Sequence, residues 1–440
     1  VFSIMLLFPS WGGMINGLLT LRGAWDRVRD DVILKFMVVA VTAYGMATFE
    51  GPMLSLKSVS SISHYTDWIV AHVHVGALGW NGMLTFGVLY WLLPRIFKTN
   101  LYSKKLASNH FWLATLGILF YAIPMYWAGI QQSLMWKEFT EAGQLKYTFL
   151  ETVTYMKPFY ALRAIGGTMY LTGVCIMFYN IYKTVKQGKL VANEEAEAAP
   201  LVKEFVKHKG EHWHRVIERR PIQLMIFSLI VILIGGIIEI VPTFMIKSNV
   251  PTISSVKPYT PLELQGRDIY VREGCYTCHS QMIRPFRSET ERYGEYSKAG
   301  EFVYDRPFQW GSKRTGPDLA REGSGNLKKS DGWHFRHFRE PGSMSEGSVM
   351  PAYPFMMTQN LDTSTTAAKI NAMRTLGVPY EKGYEKFANK DLMTQANSIR
   401  INLKIEGIEI PANREVIALI AYIQRLGKDI TNNKTATTNK

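Results

Sequence analysis

The chain has 440 residues, of which 50 are Lys or Arg and 36 are Asp or Glu, so its formal net charge is +14. Three cysteines exclude a disulfide-stapled scaffold, and a hydrophobic content of 47% excludes a disordered chain. Residues 1–183 carry 14 basic and 8 acidic residues, whereas residues 184–440 carry the other 36 and 28. The first part is membrane-like and the second is water-soluble in character, and the charge does not require a nucleic acid partner.

Six stretches are long and apolar enough to cross a lipid bilayer, which needs about 20 mostly apolar residues. They cover residues 1–21, 36–56, 68–94, 106–136, 158–182 and 221–246. We therefore predict an all-α membrane protein with six transmembrane helices, followed by a polar region of almost 200 residues. The chain opens on Val1 inside an apolar run, and we expect an N-terminal portion to precede it.

The loop charges predict how these spans are oriented, because loops on the cytoplasmic side carry an excess of Lys and Arg. Loops 22–31 and 95–110 and the linker 184–220 are basic and should be cytoplasmic. Loops 55–67 and 134–157 have little net positive charge and should lie outside. The sixth span then leaves the polar region in the periplasm of a multi-pass protein of the bacterial inner membrane.

The strongest motif is Cys275-Tyr-Thr-Cys278-His279, which matches the pattern for covalent haem c attachment. Two thiols at this spacing can reach both vinyl groups of the haem, and the adjacent His then serves as an axial iron ligand. A bare Cys-x-x-Cys can also be a redox pair or half of a zinc site. The zinc alternative would need a second pair of ligands, and the chain has only Cys175 besides.

A low-spin haem c needs a second axial ligand, and a Met thioether raises the reduction potential. We favour Met350, which lies in Val-Met-Pro-Ala-Tyr-Pro, 71 residues after His279. Residues 315–319, Thr-Gly-Pro-Asp-Leu, resemble the cytochrome c loop whose proline carbonyl, here Pro317, accepts the N–H of the ligand His. The apolar helix predicted over 414–426 should pack on the helix that ends at Cys275.

A second motif, His72-Val-His74, lies inside the third predicted span. Positions i and i+2 of a helix point about 200° apart, so one helix can offer an imidazole to each of two cofactors. Gly76 and Gly79 share a face with His72 and would let a flat macrocycle approach the backbone. The alternative is two histidines that bond to neighbouring carbonyls.

Long segments of the chain resemble known oxidase subunits. Residues 1–17, 47–53 and 63–82 resemble the catalytic subunit of the cbb3-type cytochrome c oxidases, which are C-family haem-copper oxidases. Residues 266–287 and 308–319 resemble the membrane-anchored mono-haem subunit of the same enzymes. The chain therefore looks like a fusion of the two subunits.

The resemblance implies a domain organisation. Residues 1–183 would be five helices of the catalytic subunit, which bind haem b, and residues 184–220 a cytoplasmic linker. Residues 221–247 would be the transmembrane anchor. Residues 248–430 would form a periplasmic, class I cytochrome c-like α domain with one haem. Residues 431–440 would be a disordered tail.

The resemblance also implies roles inside the membrane. His72 would bind the iron of the high-spin haem b where oxygen is reduced, and Glu50 would be its hydrogen-bond partner at the catalytic site. His74 would be one of two ligands of the low-spin haem b. The family's copper ligands belong to earlier spans, so we expect the copper ligands to lie upstream of Val1.

Weaker signals keep two interpretations each. Arg163 is a candidate for pairing with a haem propionate or for reaching the membrane interface with its charged end. An outer-loop group is a candidate for contacting propionates or a calcium ion, and a basic group for neutralising propionates or docking the catalytic part. A histidine pair is a candidate metal site or a docking surface. These three sets are His64, Tyr65 and Asp67; Arg284, Arg287, Arg292 and Arg314; and His334 and His337.

The function that the resemblance implies is that of a terminal respiratory oxidase. Electrons from a soluble or membrane cytochrome c would pass through haem c and the low-spin haem b to the high-spin haem b and copper, where oxygen becomes water with proton translocation. The partners would be the missing N-terminal part of the catalytic subunit, a multi-haem cytochrome c subunit and the lipid bilayer. A nitric oxide reductase-like protein and a non-catalytic membrane-anchored electron carrier remain as alternatives.

Overall fold

The computed structural model describes residues 2–190, 209–246 and 251–430. It is almost entirely helical, and the described residues contain isolated β-bridges but no strand. Part of the predicted linker 184–220 and the whole predicted tail 431–440 lie outside the described residues. The chain divides into two compact units: a larger one of Val1–Val191, Pro258–Ser297 and Pro307–Lys440, and a smaller one of Ala192–Lys257 and Lys298–Arg306.

The N-terminal part of the larger unit consists of eight α-helices. A π-helical segment, Val75–Gly82, joins α5 directly to α6. The eight helices are α1 Phe2–Met5, α2 Leu7–Leu19, α3 Val32–Leu54, α4 Lys57–Ser63, α5 Asp67–His74, α6 Met83–Ile96, α7 Lys104–Lys137 and α8 Phe149–Gln187.

The smaller unit contributes α9 (Trp213–Glu218) and α10 (Pro221–Met245). Pro221 occupies the first helical position of α10, where its missing N–H costs nothing. The helix is apolar on all sides and has no buried residue within the described structure, as expected of a segment that faces lipid.

The C-terminal part of the larger unit is a second helical region. The short helix Cys275–Thr277 follows its first helix. Its helices are α11 Pro261–Arg272, α12 Arg287–Tyr293, α13 Asp331–Arg339, α14 Pro341–Met344, α15 Thr366–Thr375, α16 Ala388–Ile405 and α17 Glu415–Arg425.

Four of the described helices are long and apolar enough to cross a membrane: α3, α7, α8 and α10. The first predicted span is divided between α1 and α2, of which the longer has 13 residues. The third predicted span is the run α5, Val75–Gly82 and α6, in which the π-helical turn interrupts the α-helix. The structure thus differs from the prediction in dividing two of the six apolar stretches into shorter helices.

Helices α7 and α8 pack closely because glycine meets glycine where they cross. A methyl group added to Gly166 would lie 2.6 Å from the carbonyl oxygen of Gly117. At the other end of the pair, the Asn180 side chain accepts from the backbone N–H of Ser103 at 3.0 Å and donates to its carbonyl at 2.9 Å. The two helices are therefore fixed at both places.

The core of the C-terminal region is the crossing of α17 over α11. Residues 415–423 of α17 are all buried. A methyl group at Gly266 would come within 1.9 Å of the carbonyl oxygen of Ala418, so only glycine permits this approach. The prediction of a helix over 414–426 that packs on the helix preceding Cys275 is confirmed.

Candidate haem-binding sites

The Cys-x-x-Cys-His segment follows α11 through a sharp turn. Gly274 has φ +70, a conformation that glycine adopts without steric cost, and a single 3-10 turn then carries Cys275 to Thr277. The backbone N–H of His279 donates to the carbonyl of Cys275 at 2.9 Å, which closes the turn. This geometry puts Cys275, Cys278 and His279 on the wall of one cavity.

The His279 ring is held in one orientation. Its Nδ1–H donates to the carbonyl oxygen of Pro317 at 2.9 Å, so Nε2 is left to accept a metal. A Cβ at Gly316 would lie 2.3 Å from Cε1 of the ring, so the imidazole packs directly against the Gly316 backbone. Burial lowers the pKa of His279. The imidazole is therefore neutral, which is the form that ligates iron.

The cavity has a volume of about 520 Å³, within the range of about 300–1,000 Å³ that is usual for cofactor sites. Met350 contributes to its wall and packs against the buried core of the C-terminal region. Burial raises the pKa of the Cys275 thiol to about 12, as expected of a largely apolar pocket. The volume, the paired thiols, the oriented imidazole and the thioether fit a covalently bound haem.

Two further histidines, both on α13, line the same cavity. Nε2 of His334 and Nδ1 of His337 are buried and have no hydrogen-bond partner within the described residues. Burial lowers their pKa values to about 3 and about 4, so both rings are neutral. Unpartnered buried nitrogens at a cavity wall fit an occupant with hydrogen-bonding atoms of its own.

The membrane part of the unit closes one side of this cavity. Phe149, Leu150 and Val153, from the first turns of α8, lie on its wall. The side chain of Thr148 caps that helix and its neighbour Glu151 completes a capping box, so the position of the first turn is well determined. The candidate haem c site is therefore built by both parts of the larger unit.

His72 and Glu50 form a second candidate site. Nδ1 of His72 lies 3.1 Å from Oε2 of Glu50, whose residue is only 7% exposed. The same carboxylate accepts from Nε1 of Trp68 at 2.5 Å and from the hydroxyl of Tyr126 at 2.5 Å. The hydrogen bond that the resemblance implies is present, and Nε2 of His72 is left to bind iron.

His74 turns to a different neighbour. Its Nδ1–H donates to the carbonyl of Val70 at 2.8 Å, and its Nε2 lies 3.0 Å from the hydroxyl of Tyr121 on α7. The ring is correctly oriented for a ligand, but an iron at Nε2 would have to displace the Tyr121 hydroxyl. Since His72 meets Glu50 on α3 and His74 meets α7, the two rings diverge as their i, i+2 spacing predicts.

The glycines after the His pair have a different role from the one expected. A methyl at Gly79 would lie 3.1 Å from Cβ of Ala43, and one at Gly76 would lie 3.8 Å from Cβ of Ala47. Both therefore face α3 and let it approach, so the idea that they make room for a macrocycle was wrong. They belong to the π-helical turn Val75–Gly82, a feature that is frequent at functional sites and that the sequence did not predict.

Two other predicted residues lie nearby. The guanidinium of Arg163 lies 4.9 Å from the ring centre of Tyr160, and its Nη1 lies 3.9 Å from the sulfur of Met125. Asp67 accepts from Nε2 of Gln132 at 2.6 Å and from the Tyr160 hydroxyl at 2.9 Å. The propionate and calcium contacts stay predictions. In the part of the chain that the structure describes, no group of three or more His, Cys, Asp and Glu side chains could hold a metal ion.

Sequence reasoning missed Trp68, Tyr121 and Tyr126. Trp68 is one helical turn before His72, a spacing that could have indicated contact with the same partner. The two tyrosines are on α7, about 50 residues further along the chain, and no local pattern connects them with the His pair.

Apolar helices, diverging imidazoles on one of them and a Cys-x-x-Cys-His cavity are features of the membrane-bound haem proteins of respiration. Residues 1–169 match the family "Cytochrome C and Quinol oxidase polypeptide I". Residues 214–430 match "Cytochrome C oxidase, mono-heme subunit/FixO". The chain belongs to the cbb3-type cytochrome c oxidases and joins a segment of subunit 1 to the mono-haem subunit.

Curated relatives agree with this assignment for the first half. The chain is 57% identical over 201 residues to a cytochrome c oxidase subunit 1 homolog of Agrobacterium tumefaciens, which is 46% of this chain and 37% of that protein. It is 48% identical over 190 residues to the cbb3-type subunit CcoN1 of Stutzerimonas stutzeri, or 43% and 40%. A nitric oxide reductase chain of that organism is 24% identical over 156 residues, or 34% and 32%. The chain spans little more than a third of the length of the oxidase relatives it matches.

Proposed function

We propose that this chain is part of a terminal respiratory oxidase and carries the path by which electrons from cytochrome c reach the oxygen-reducing centre. One observation carries the proposal. A single compact unit holds both a buried, oriented imidazole beside two thiols and a pair of diverging imidazoles on α5. When bound, haems c and b would supply reversible one-electron chemistry, and a copper would complete the centre that reduces oxygen.

The architecture proposed for this function has six transmembrane helices. The first and third would be the runs that the structure divides into α1 with α2 and into α5 with α6. Residues 248–430 would be a class I cytochrome c-like domain in the periplasm, and residues 184–220 a cytoplasmic linker. The basic loops on the opposite side of the membrane support this orientation.

In the soluble part, Cys275 and Cys278 would hold haem c covalently, and His279 and Met350 would bind its iron on opposite faces. The carbonyl of Pro317 keeps the His279 ring in place and makes the ligand more basic. The apolar cavity excludes water, and a thioether ligand favours the reduced state.

In the membrane part, His74 would bind the low-spin haem b and His72 the high-spin haem b. Glu50 would orient His72 by accepting its Nδ1–H, while Trp68 and Tyr126 hold the carboxylate in turn. A buried carboxylate at the back of a ligand imidazole raises its basicity, which strengthens the bond to iron. Arg163 would neutralise a propionate.

The activity of the whole enzyme is also part of the proposal. It is the reduction of oxygen to water, coupled to proton translocation across the bacterial inner membrane. The partners would be the rest of the catalytic subunit, which would hold the copper, a multi-haem cytochrome c subunit and a cytochrome c donor. The higher identity to oxidase subunits than to a nitric oxide reductase favours oxygen as the substrate.

The test is covalent haem attachment in the membrane complex that contains this chain. After denaturing electrophoresis, the chain should stain for haem. Cys275→Ser with Cys278→Ser should abolish the stain, and Cys175→Ser, which changes the remaining cysteine on α8, should leave it unchanged. A chain that never stains, or a double variant that still does, would refute the proposed haem c site. Oxygen uptake with a reduced cytochrome c donor tests the activity in the same samples.

A further inference from the structure

Tyr65 has an unusual position between α4 and α5. It is one of two described non-glycine residues with positive φ, at +69, and its side chain is 0% exposed. A left-handed conformation is unfavourable for a bulky residue and persists only where the surroundings hold it. The contacts of the Tyr65 ring and backbone therefore indicate what holds it.

The ring of Tyr65 lies among the guanidinium groups of the C-terminal region. The Arg314 guanidinium is 4.4 Å from the ring centre and that of Arg284 is 5.6 Å away. Both distances are within the reach of a cation–π interaction, which is strongest when the partners are shielded from water. The Tyr65 hydroxyl is buried and has no hydrogen-bond partner within the described residues, so the aromatic face supplies the contact.

The Arg314 guanidinium is itself held by two carboxylates. Its Nη2 is 3.0 Å from Glu289 and 3.2 Å from Asp318, and its Nε donates to the hydroxyl of Ser280 at 2.7 Å. Arg284 forms an ion pair with Glu289 at 2.5 Å. Two buried cations and two buried anions balance one another, so the surface that receives Tyr65 is preorganised.

The backbone completes this junction. The N–H of Arg314 donates to the carbonyl of Tyr65 at 2.8 Å. Three residues after Arg314, the carbonyl of Pro317 fixes the His279 ring. Directly after Tyr65, the hydroxyl of Thr66 caps α5, the helix that carries His72 and His74. One hydrogen bond thus separates the segment that orients His279 from the start of the helix with the paired imidazoles.

Neighbouring arginines of the C-terminal region make similar contacts with outer loops of the membrane part. Nη1 of Arg284 donates to the carbonyl of Ser61 at 3.3 Å. Nη2 of Arg287 donates to the carbonyl of Gly143 at 2.8 Å, and Nη1 of Arg292 to that of Tyr147 at 3.0 Å. Of the two roles that the sequence left open for these arginines, the contacts favour docking.

We propose that Tyr65 and Arg314 form a positioning junction that sets the distance between the haem c cavity and the paired imidazoles of α5. Tyr65 inserts as an aromatic anchor, the Arg314–Glu289–Asp318 cluster receives it, and the Arg314–Tyr65 backbone bond fixes the register. The consequence for electron transfer rests on the proposed function, whereas the junction itself does not.

The experiment compares three variants of Tyr65 in the full membrane complex by hydrogen–deuterium exchange. Tyr65→Phe keeps the ring and should exchange the Arg314 amide as the parent does. Tyr65→Leu keeps apolar bulk but loses the aromatic face, and exchange should rise about two- to thirtyfold. Tyr65→Asn tolerates positive φ, so it removes the ring without added backbone strain and should match Tyr65→Leu. Amides of α17 in the same samples report whether the fold is intact.

Two results would overturn the junction: Leu and Asn variants that exchange like the parent, or a Phe variant that exchanges as fast as they do. The positioning role is tested by the rate at which haem c and the low-spin haem b equilibrate, with haem contents and reduction potentials measured alongside. The rate should fall in the Leu and Asn variants alone, at unchanged potentials. Equal rates in all variants would refute the positioning role. A complex without haem c or haem b would instead refute the proposed function.

Discussion

Glu322 is a carboxyl group on the wall of the candidate haem c cavity, and it titrates close to the middle of the physiological pH range. Burial raises its pKa to about 7, and the positive charge of Lys329 opposes that effect only in part. The group is therefore neutral at low pH and becomes an anion in a largely apolar site as the pH rises. A charge that appears beside a redox centre must alter its potential.

We expect the reduction potential of haem c to fall as the pH rises through about 7, because the Glu322 anion stabilises the oxidised, more positive state. Glu322→Gln should remove most of this dependence between about pH 6 and pH 8, and Glu322→Asp should retain it. A spectroelectrochemical titration of the complex at several pH values measures the effect. An unaltered slope in the Gln variant would show that another group is responsible.

At the residue scale, sequence reasoning works where chemistry depends on short spacing. The Cys275–His279 motif, the Pro317 carbonyl and the Glu50–His72 contact could all be anticipated. Tyr121 and Tyr126 could not be, because only the packing of α5 on α7 brings them to the imidazoles. The same holds for Tyr65, whose loop position gives no hint that its ring is buried among arginines of the C-terminal region.

At the element scale, the pairing of α7 with α8 depends on glycines that face each other. A Cβ at Gly166 would meet the backbone of Tyr121 as well as that of Gly117, both at 2.6 Å. The neighbouring Gly167 has no heavy atom within 4 Å of such a Cβ. The two adjacent positions therefore form a matched pair, one at the helix interface and one in open space.

Gly166→Ala should destabilise the helix pair by about 1–3 kcal/mol, because the backbones must separate to admit the methyl group. Gly167→Ala should be neutral or slightly stabilising, since alanine is the better helix former. Thermal unfolding of the detergent-solubilised complex, followed by helical circular dichroism, compares the apparent Tm values. Equal Tm losses in both variants would mean that the close approach of α7 and α8 is not what stabilises them.

Hydrophobicity alone locates apolar stretches but not interruptions within them. The third stretch contains no Lys, Arg, Asp or Glu from residue 68 to residue 94, yet the helix changes to π-helical geometry at Val75–Gly82. The change follows from tertiary contact, since Gly79 must pass close to Ala43 of α3. Such a contact is not encoded in the local pattern of apolar residues.

At the scale of the whole molecule, segments that match two separate oxidase subunits share one compact unit. The α8 residues that close the haem c cavity and the arginines that bind the outer loops join them. Docking of this kind gives electron transfer a defined geometry, and it is the reason why the paired imidazoles and the Cys-x-x-Cys-His motif acquire meaning together.

The central claim is that the two imidazoles of α5 each bind a different haem b while haem c is held in the same unit. Haem analysis of the purified complex, combined with its reduced and carbon monoxide-treated spectra, tests it most directly. His72→Ala should lose the carbon monoxide-binding, high-spin haem b, and His74→Ala should lose the low-spin haem b. Each variant should keep the other haem b and the covalent haem c, which shows that the complex is assembled. Assembled variants that keep both haems b would contradict the account.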